Sequence, residues 1–287
     1  MILESLEQSL LFYPLVLGIY LSYHILKITD LTVEGSFVAG AALYARLLTL
    51  YDNHPLAMTG ALLGGIMCGV AVSFMQRKGS MNGLVASIIM LFMLYSLNLQ
   101  IMGRPNISLL NYDVFSALSN ASFIKLVFLI LMGVFLLGGL TLFLKTRLGL
   151  SCRAFGHQPN LLYKYNQNPE TYRLLGLILS NMLAALCGAL TAQFSGYADI
   201  HMGFGMALIG IGAVVIGQHL FSSLRQTRSF QPGLELLACF GGIYLYFLIS
   251  HLLLSFDIDP INLRLCLGLL LILCLRSPIL LKGQPHA

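Results

Sequence analysis

Nine intervals of the sequence, each about twenty residues long, carry almost no charge, and this spacing constrains the fold more than any other feature. They run roughly 9–27, 31–51, 56–75, 82–102, 122–145, 173–194, 204–222, 233–255 and 260–281. About twenty apolar residues in a helix cross a bilayer core, and in lipid every backbone polar group must be satisfied within the protein. Of 287 residues, 57% are hydrophobic and 9% charged. That is too little charge to cover a water-soluble surface. An all-α polytopic membrane protein is expected, as a single transmembrane domain over 1–287 with no separate soluble domain.

The intervals between the segments alternate in charge. Twelve of the sixteen Lys and Arg fall in one set: Lys27, Arg77, Lys78, the group from Lys145 to Arg173, Arg225, Arg228, Arg276 and Lys282. The other set holds Glu4, Glu7, Asp52, Asp113, Asp199, Asp257 and Asp259. Basic loops stay in the cytoplasm. The N-terminus is therefore expected outside and the C-terminus inside. No basic residue precedes Lys27, so the first segment is expected to remain as a span rather than be cleaved as a signal peptide.

Several chemistries find no support. The thin spread of basic residues does not suggest nucleic acid, and the six cysteines show no C-x-x-C pair. There is no P-loop, H-E-x-x-H or G-x-S-x-G, so no catalytic residue and no metal-ligand set is expected. The middles of the segments hold few ionisable groups, which argues against a proton relay and for energy supplied from elsewhere.

Two segments depart from the pattern. The second begins I-T-D-L-T-V-E-G-S-F, with Asp30 and Glu34 one turn apart. It is expected to start late or to span only partly, its acids either capping the first turn or lying solvated in a short loop. The seventh contains Gly203, Gly205, Gly210, Gly212 and Gly217. Such interruption marks either a transport site or close helix packing, and both readings stand. Gly60/Gly64 and Gly65/Gly69 have small-x-x-x-small spacing, as in a packed bundle. The interval Gly103–Ser122 is polar enough to meet an external partner, or is an ordinary connection.

The longest polar interval is 146–172, which carries Arg147, Arg153 and Lys164 and is expected in the cytoplasm. Within it, Ala154–Tyr165 has the makings of a short surface helix. Pro159 and Asn160 suit its first turn, and Leu161, Leu162 and Tyr165 share a face able to enter a partner's groove. The alternative is a disordered basic loop, against which the aromatic content argues.

Four blocks carry a family resemblance: D-L-T-V-E-G-S-F (Asp30–Phe37), L-Y-S-L-N-L-Q-I-M-G-R-P-N-I-S-L-L-N (Leu94–Asn111), F-L-K-T-R-L-G-L-S-C-R-A-F-G (Phe143–Gly156) and the run from Leu175 to Met206. The chain resembles bacterial ABC-type permeases related to the branched-chain amino-acid permeases, in the tryptophan/tyrosine-type importer subgroup. The resemblance implies a fold like the ribose and vitamin B12 importers, with eight to ten spans in the bacterial inner membrane. It further implies a homodimer with a substrate path at its axis. Two cytoplasmic ATPases would drive the dimer, and a periplasmic or lipid-anchored binding protein would feed it. ATP and Mg would sit on the ATPase, with no cofactor on this chain.

By the same resemblance the coupling helix transfers to Arg153, Ala154, Phe155, Gly156 and His157, and onward to Pro159, Asn160, Leu161 and Leu162. The family tends to a stretch ending Gly-Ile-Asn after this block; here it reads H-Q-P-N-L-L-Y-K-Y-N-Q-N. The candidate substrate path is Asp30, Thr32, Glu34, Ser36, Asn98, Gln193 and Gly203. The expected function is import of a small solute by alternating access, amino acids being suggested by the resemblance alone. The rivals are a self-contained secondary carrier or channel, and a membrane-embedded enzyme.

Overall fold

In lipid, association of helices depends on small residues that let backbones approach and on hydrogen bonds between helices, and both organise this chain. The computed structural model describes residues 2–112, 121–224 and 231–256, together with Gly268. The helices are α1 (Ile2–Ile19, continued by a π-helical turn Tyr20–Ile25), α2 (Thr32–Tyr51), α3 (His54–Met75), α4 (Gly83–Met102) and α5 (Ala121–Lys145). They continue with α6 (Arg147–His157), α7 (Pro159–Lys164), α8 (Pro169–Ser195), α9 (Met206–Leu224) and α10 (Pro232–Ser255).

Among the described residues, seven helices are long and apolar enough to cross a membrane: Ile2–Ile25, Thr32–Tyr51, His54–Met75, Gly83–Met102, Phe123–Lys145, Pro169–Ser195 and Pro232–Ser255. They answer to the first six expected segments and the eighth. The seventh exists as α9, but its apolar part, Met206–His219, is shorter than a full span. The ninth, 260–281, lies outside the described residues. The first begins seven residues earlier than expected, because Ser5 and Ser9 are buried and the Ser9 hydroxyl back-bonds to the Ser5 carbonyl. Of the two expectations for the second segment, a late start or a partial span, the partial span does not hold: α2 is a 20-residue helix that begins at Thr32, past Asp30.

Local chemistry sets the helix ends. Asn53, Asn82, Thr146 and Asn168 each accept a first-turn amide with the side chain, and Pro55 and Pro169 stand where a missing N–H costs nothing. Gly103 (φ 69°) and Gly196 (φ 74°) close α4 and α8 in the left-handed conformation.

The core is centred on α2 and α8. Within its apolar window α2 is 67% buried, whereas α5 is 17% buried and peripheral. A Cβ at Gly40 would overlap the Ala185 carbonyl, and one at Gly188 the Phe37 carbonyl, so α2 and α8 touch through backbone on both sides. Gly65 and Gly69 of α3 meet α8 the same way at Asn181 and Ile178. In α9, Gly210 receives Ile19 and Gly217 the Ala238 carbonyl, while Gly242 of α10 receives the Ala213 carbonyl. Close packing is thus the role of those α9 glycines. Between α8 and α9 the chain forms strand β2 (Tyr197–Asp199), antiparallel to β1 (Asn106–Ser108) with Asn106 opposite Asp199. Ile107 and Leu109 are buried beneath this pair. The described part of the interval 103–122 is therefore an ordered cap rather than a plain connection.

Gly188→Ala is expected to destabilise the solubilised protein by about 1–3 kcal/mol through overpacking. Gly139→Ala, where a Cβ meets nothing within 4 Å, is expected to be neutral or mildly stabilising. Thermal midpoints of the two variants check this; equal losses would contradict the α2–α8 contact.

Candidate functional site

The first turn of α2 is held by a buried polar network. Asp30 accepts the Thr32 amide at 2.9 Å and the Asn181 side-chain amide at 2.9 Å, and the Ser36 hydroxyl donates to Asn181 Oδ1 at 2.6 Å. Asp30 is 5% exposed. Burial pushes its carboxyl above the ordinary aspartate range, partly opposed by the hydrogen bonds from Thr32 and Asn181. Asp30 is thus not solvated; with Ser36 it ties α2 to α8 through Asn181.

One turn further, Glu34 lines a cavity of about 450 Å³ with Phe92, Tyr95, Asn98, His201 and Phe204. This is an ordinary size for a small-molecule site. Glu34 Oε1 accepts the Ala207 amide at 3.2 Å, so the acid at the start of α2 also caps the start of α9. Asn98 donates to the Gly35 carbonyl at 3.1 Å, and the Tyr95 and His201 rings lie 6.1 Å apart. Gly203 reaches the cavity because only a residue without a side chain fits against the Glu34 carbonyl and Val38. Gly205 turns the chain into α9 with φ 84°. The glycines of this segment therefore divide: Gly203 and Gly205 shape the cavity, Gly210 and Gly217 pack helices.

Of the seven expected path residues, Glu34, Asn98 and Gly203 line the cavity, and Asp30, Thr32 and Ser36 form the network beside it. Gln193 stands apart, accepting the Tyr44 hydroxyl and donating to the Tyr112 carbonyl at 3.5 Å. The cavity's aromatic residues were not among the expected site, since alone each resembles any lipid-facing ring. Asn181 was missed too, although a lone amide in mid-span was the signal for it.

The polar interval folds as two helices in place of the single one expected over 154–165. The break is at Gln158 (φ −157°, ψ 92°), because Pro159 forces its predecessor out of the helical region. Arg153, Ala154, Phe155, Gly156 and His157 end α6; Pro159, Asn160, Leu161 and Leu162 open α7. Leu162 is 3% exposed and turned into the chain, whereas Tyr163 and Tyr165 are 63% and 76% exposed. Leu161, Leu162 and Tyr165 therefore do not form one exposed face. Gly156 meets the Ile25 carbonyl so closely that a Cβ would collide with it, and His157 Nδ1 lies 3.2 Å from Lys27 Nζ. The π-helical turn above carries Tyr20, whose hydroxyl donates to buried Glu235 at 2.7 Å, and His24, whose ring lies 3.9 Å from the same carboxylate. Among the described residues, no group of three or more His, Cys, Asp or Glu is placed to hold a metal ion.

A bundle of membrane-length helices defines an all-α, multi-pass membrane protein. Residues 1–275 match the family of permease components of branched-chain amino acid transport systems, and the chain belongs to that family. It is the permease component of an ABC-type transport system. An uncharacterised protein of Rickettsia prowazekii (strain Madrid E) is 48% identical over 276 residues, covering 96% of this chain and 97% of that protein. The tyrosine transport system permease protein of Clostridioides difficile (strain R20291) is 34% identical over 221 residues, covering 77% of this chain and 74% of the relative. No solved structure matches.

Because folding raises the Asp30 carboxyl above its unfolded value, the folded state holds that proton more firmly. Its contribution to stability is full below the ordinary aspartate value and is lost as pH rises through the raised one. Asp30→Asn is expected to flatten this fall in a series of unfolding midpoints against pH; an unchanged slope would contradict the burial of the acid.

Proposed function

We propose that this chain imports a small solute of the amino-acid class through the cavity beside Glu34, by alternating access driven by a separate cytoplasmic ATPase that docks on α6 and α7. The observation that carries this reading is the contact of Gly156 with the Ile25 carbonyl. It joins an exposed helix pair to the segment Leu26–Leu31, and that segment runs directly into the turn of α2 that bears Glu34. Leu26 is itself wedged against Gly176 of α8. A push on α6 therefore has a short route to the cavity wall, anchored at buried Leu26 and Asp30, as a switch between two discrete arrangements requires.

The basic character of the interval 146–172 supports reading α6 and α7 as cytoplasmic in a bacterial inner-membrane protein, with the N-terminus outside and the C-terminus inside. The opposite end, capped by β1 and β2, is the surface offered to a periplasmic or lipid-anchored binding protein. Phe92 and Phe204 at the cavity are each 71% exposed, and a second copy of the chain covers such apolar rims in a homodimer. The relative of Clostridioides difficile, by its name a tyrosine permease, favours amino acids as the cargo.

The tagged chain, purified from its native membrane, is expected to bring with it an ATPase whose hydrolysis is coupled to uptake. Replacing Tyr163 and Tyr165 together with Glu should reduce that recovery roughly tenfold or more, as loss of aromatic anchors does at protein interfaces. The thermal midpoint of the chain should stay put, since both side chains are exposed. Leu162→Glu should instead lower the midpoint. A chain that emerges alone and transports in liposomes without ATP would overturn the assignment in favour of a self-contained carrier.

A further inference from the structure

A second pocket, separate from the cavity beside Glu34, lies at the C-terminal end of α1. It measures about 520 Å³ and is lined by Tyr23, His24, Lys27, Thr29 and His157. Four of these come from the π-helical turn and the residues after it, and His157 comes from the end of α6. Every one of the five side chains can donate a hydrogen bond. No Asp or Glu is among them. Two acids in the vicinity are committed elsewhere. Asp30 is buried and accepts the Thr32 and Asn181 amides. Glu235 is buried too; it accepts the Tyr20 hydroxyl at 2.7 Å and lies 3.9 Å from His24 Nε2.

Lys27 follows the last turn of α1 with φ 56°, a left-handed conformation in which glycine or asparagine is the usual residue. A lysine there strains the backbone where glycine would not, so what the position gains is the side chain. Its Nζ lies 3.2 Å from His157 Nδ1. When that nitrogen accepts from the ammonium, a neutral imidazole carries its proton on Nε2. Two ammonium protons and the Nε2–H are then left for a ligand. The pocket also lies where the span Ile2–Ile25 ends, the depth at which hydrocarbon gives way to headgroups. Helix α6 starts two residues after Lys145, the end of another span, and exposes Leu148 and Leu150. A phosphate presents several strong acceptor oxygens at once, which suits donors drawn from two elements.

We propose that this pocket binds a phosphate group, carried by an anionic lipid headgroup or free in solution. Lys27 supplies the charge, and Tyr23, Thr29 and His157 supply further hydrogen bonds. His24, stacked on the Tyr20 ring, completes the wall. The bound group joins the segment after α1 to α6, next to the contact of Gly156 with the Ile25 carbonyl. Occupancy therefore holds these two elements together. The site is independent of the cargo and stands whether or not α6 docks an ATPase.

The test is a series of thermal midpoints of the full chain in dodecyl maltoside, a detergent without phosphate. The chain is titrated with dioctanoylphosphatidylglycerol, dioctanoylglycerol, inorganic phosphate and potassium chloride at matched ionic strength. A ligand of the folded state raises the midpoint by mass action, and the titration gives its Kd. Phosphatidylglycerol should raise the midpoint and dioctanoylglycerol should not. Inorganic phosphate acting with a similar Kd would identify a free anion as the ligand; phosphatidylglycerol acting alone would identify the headgroup. Lys27→Gly and His157→Gln should each weaken binding roughly tenfold or more, as loss of a charge-assisted contact implies. Without any probe, the Lys27→Gly midpoint should be unchanged or higher, because glycine suits the left-handed backbone. Lys164→Gln, a basic residue exposed outside the pocket, should bind as the parent does. An equal effect of dioctanoylglycerol, an equal effect of potassium chloride, equal weakening by Lys164→Gln, undiminished binding by Lys27→Gly and His157→Gln, or no shift with any probe would each overturn the proposal.

Discussion

Lipid tails are as apolar as leucine, so a helix in a bilayer gains little by burying one more leucine and gains most where its backbone touches another. The contact between α2 and α8 is of that kind. Gly40 sits on the Ala185 carbonyl and Gly188 on the Phe37 carbonyl, an arrangement no larger residue allows. At one end of this seam Asp30, Asn181 and Ser36 lock the register with hydrogen bonds. A buried polar network of this sort fixes one geometry, because a slipped register leaves its members unpaired. The place where α2 begins is therefore set to within one residue, and the position of Glu34 follows from it.

Two surfaces depend on that turn. On one side Glu34 joins α2 to the start of α9 and forms part of the cavity wall. On the other, the non-helical segment Leu26–Leu31 leads back to the π-helical turn of α1, against which α6 is seated through Gly156. The irregular backbone of this segment is tolerated because it lies against protein: Leu26 and Asp30 are both buried. The α6–α7 pair and the cavity are thus separated by a single short stretch of chain.

How much of this was readable beforehand depended on whether a residue's role is local. Helix-length apolar runs, the odd acids at 30 and 34 and the Pro159 boundary are local signals, and each has a counterpart in the structure. Whether an acid is buried or solvated depends on a neighbour 151 residues away, Asn181, which no spacing rule names. The partner of Gln193, Tyr44, lies 149 residues away and is likewise unseen in the sequence. Leu162 and Tyr165 do not share a face, because α7 ends at Lys164: Leu162 turns into the chain, and Tyr165, beyond the helix end, is exposed. The rings at the cavity are indistinguishable in sequence from rings that face lipid. The strand pair escaped notice because three-residue strands carry no periodicity.

The central claim is that α6 and the Leu26–Leu31 segment move as one body against the cavity wall. Spin labels at Leu150 on α6, Thr29 in the segment and Phe92 on α4 measure it directly by pulsed dipolar spectroscopy of the chain in complex with its ATPase. Between nucleotide-free and ATP-bound states the Leu150–Thr29 distance is predicted to stay constant while Thr29–Phe92 changes. A changing Leu150–Thr29 distance with Thr29–Phe92 fixed would contradict the account.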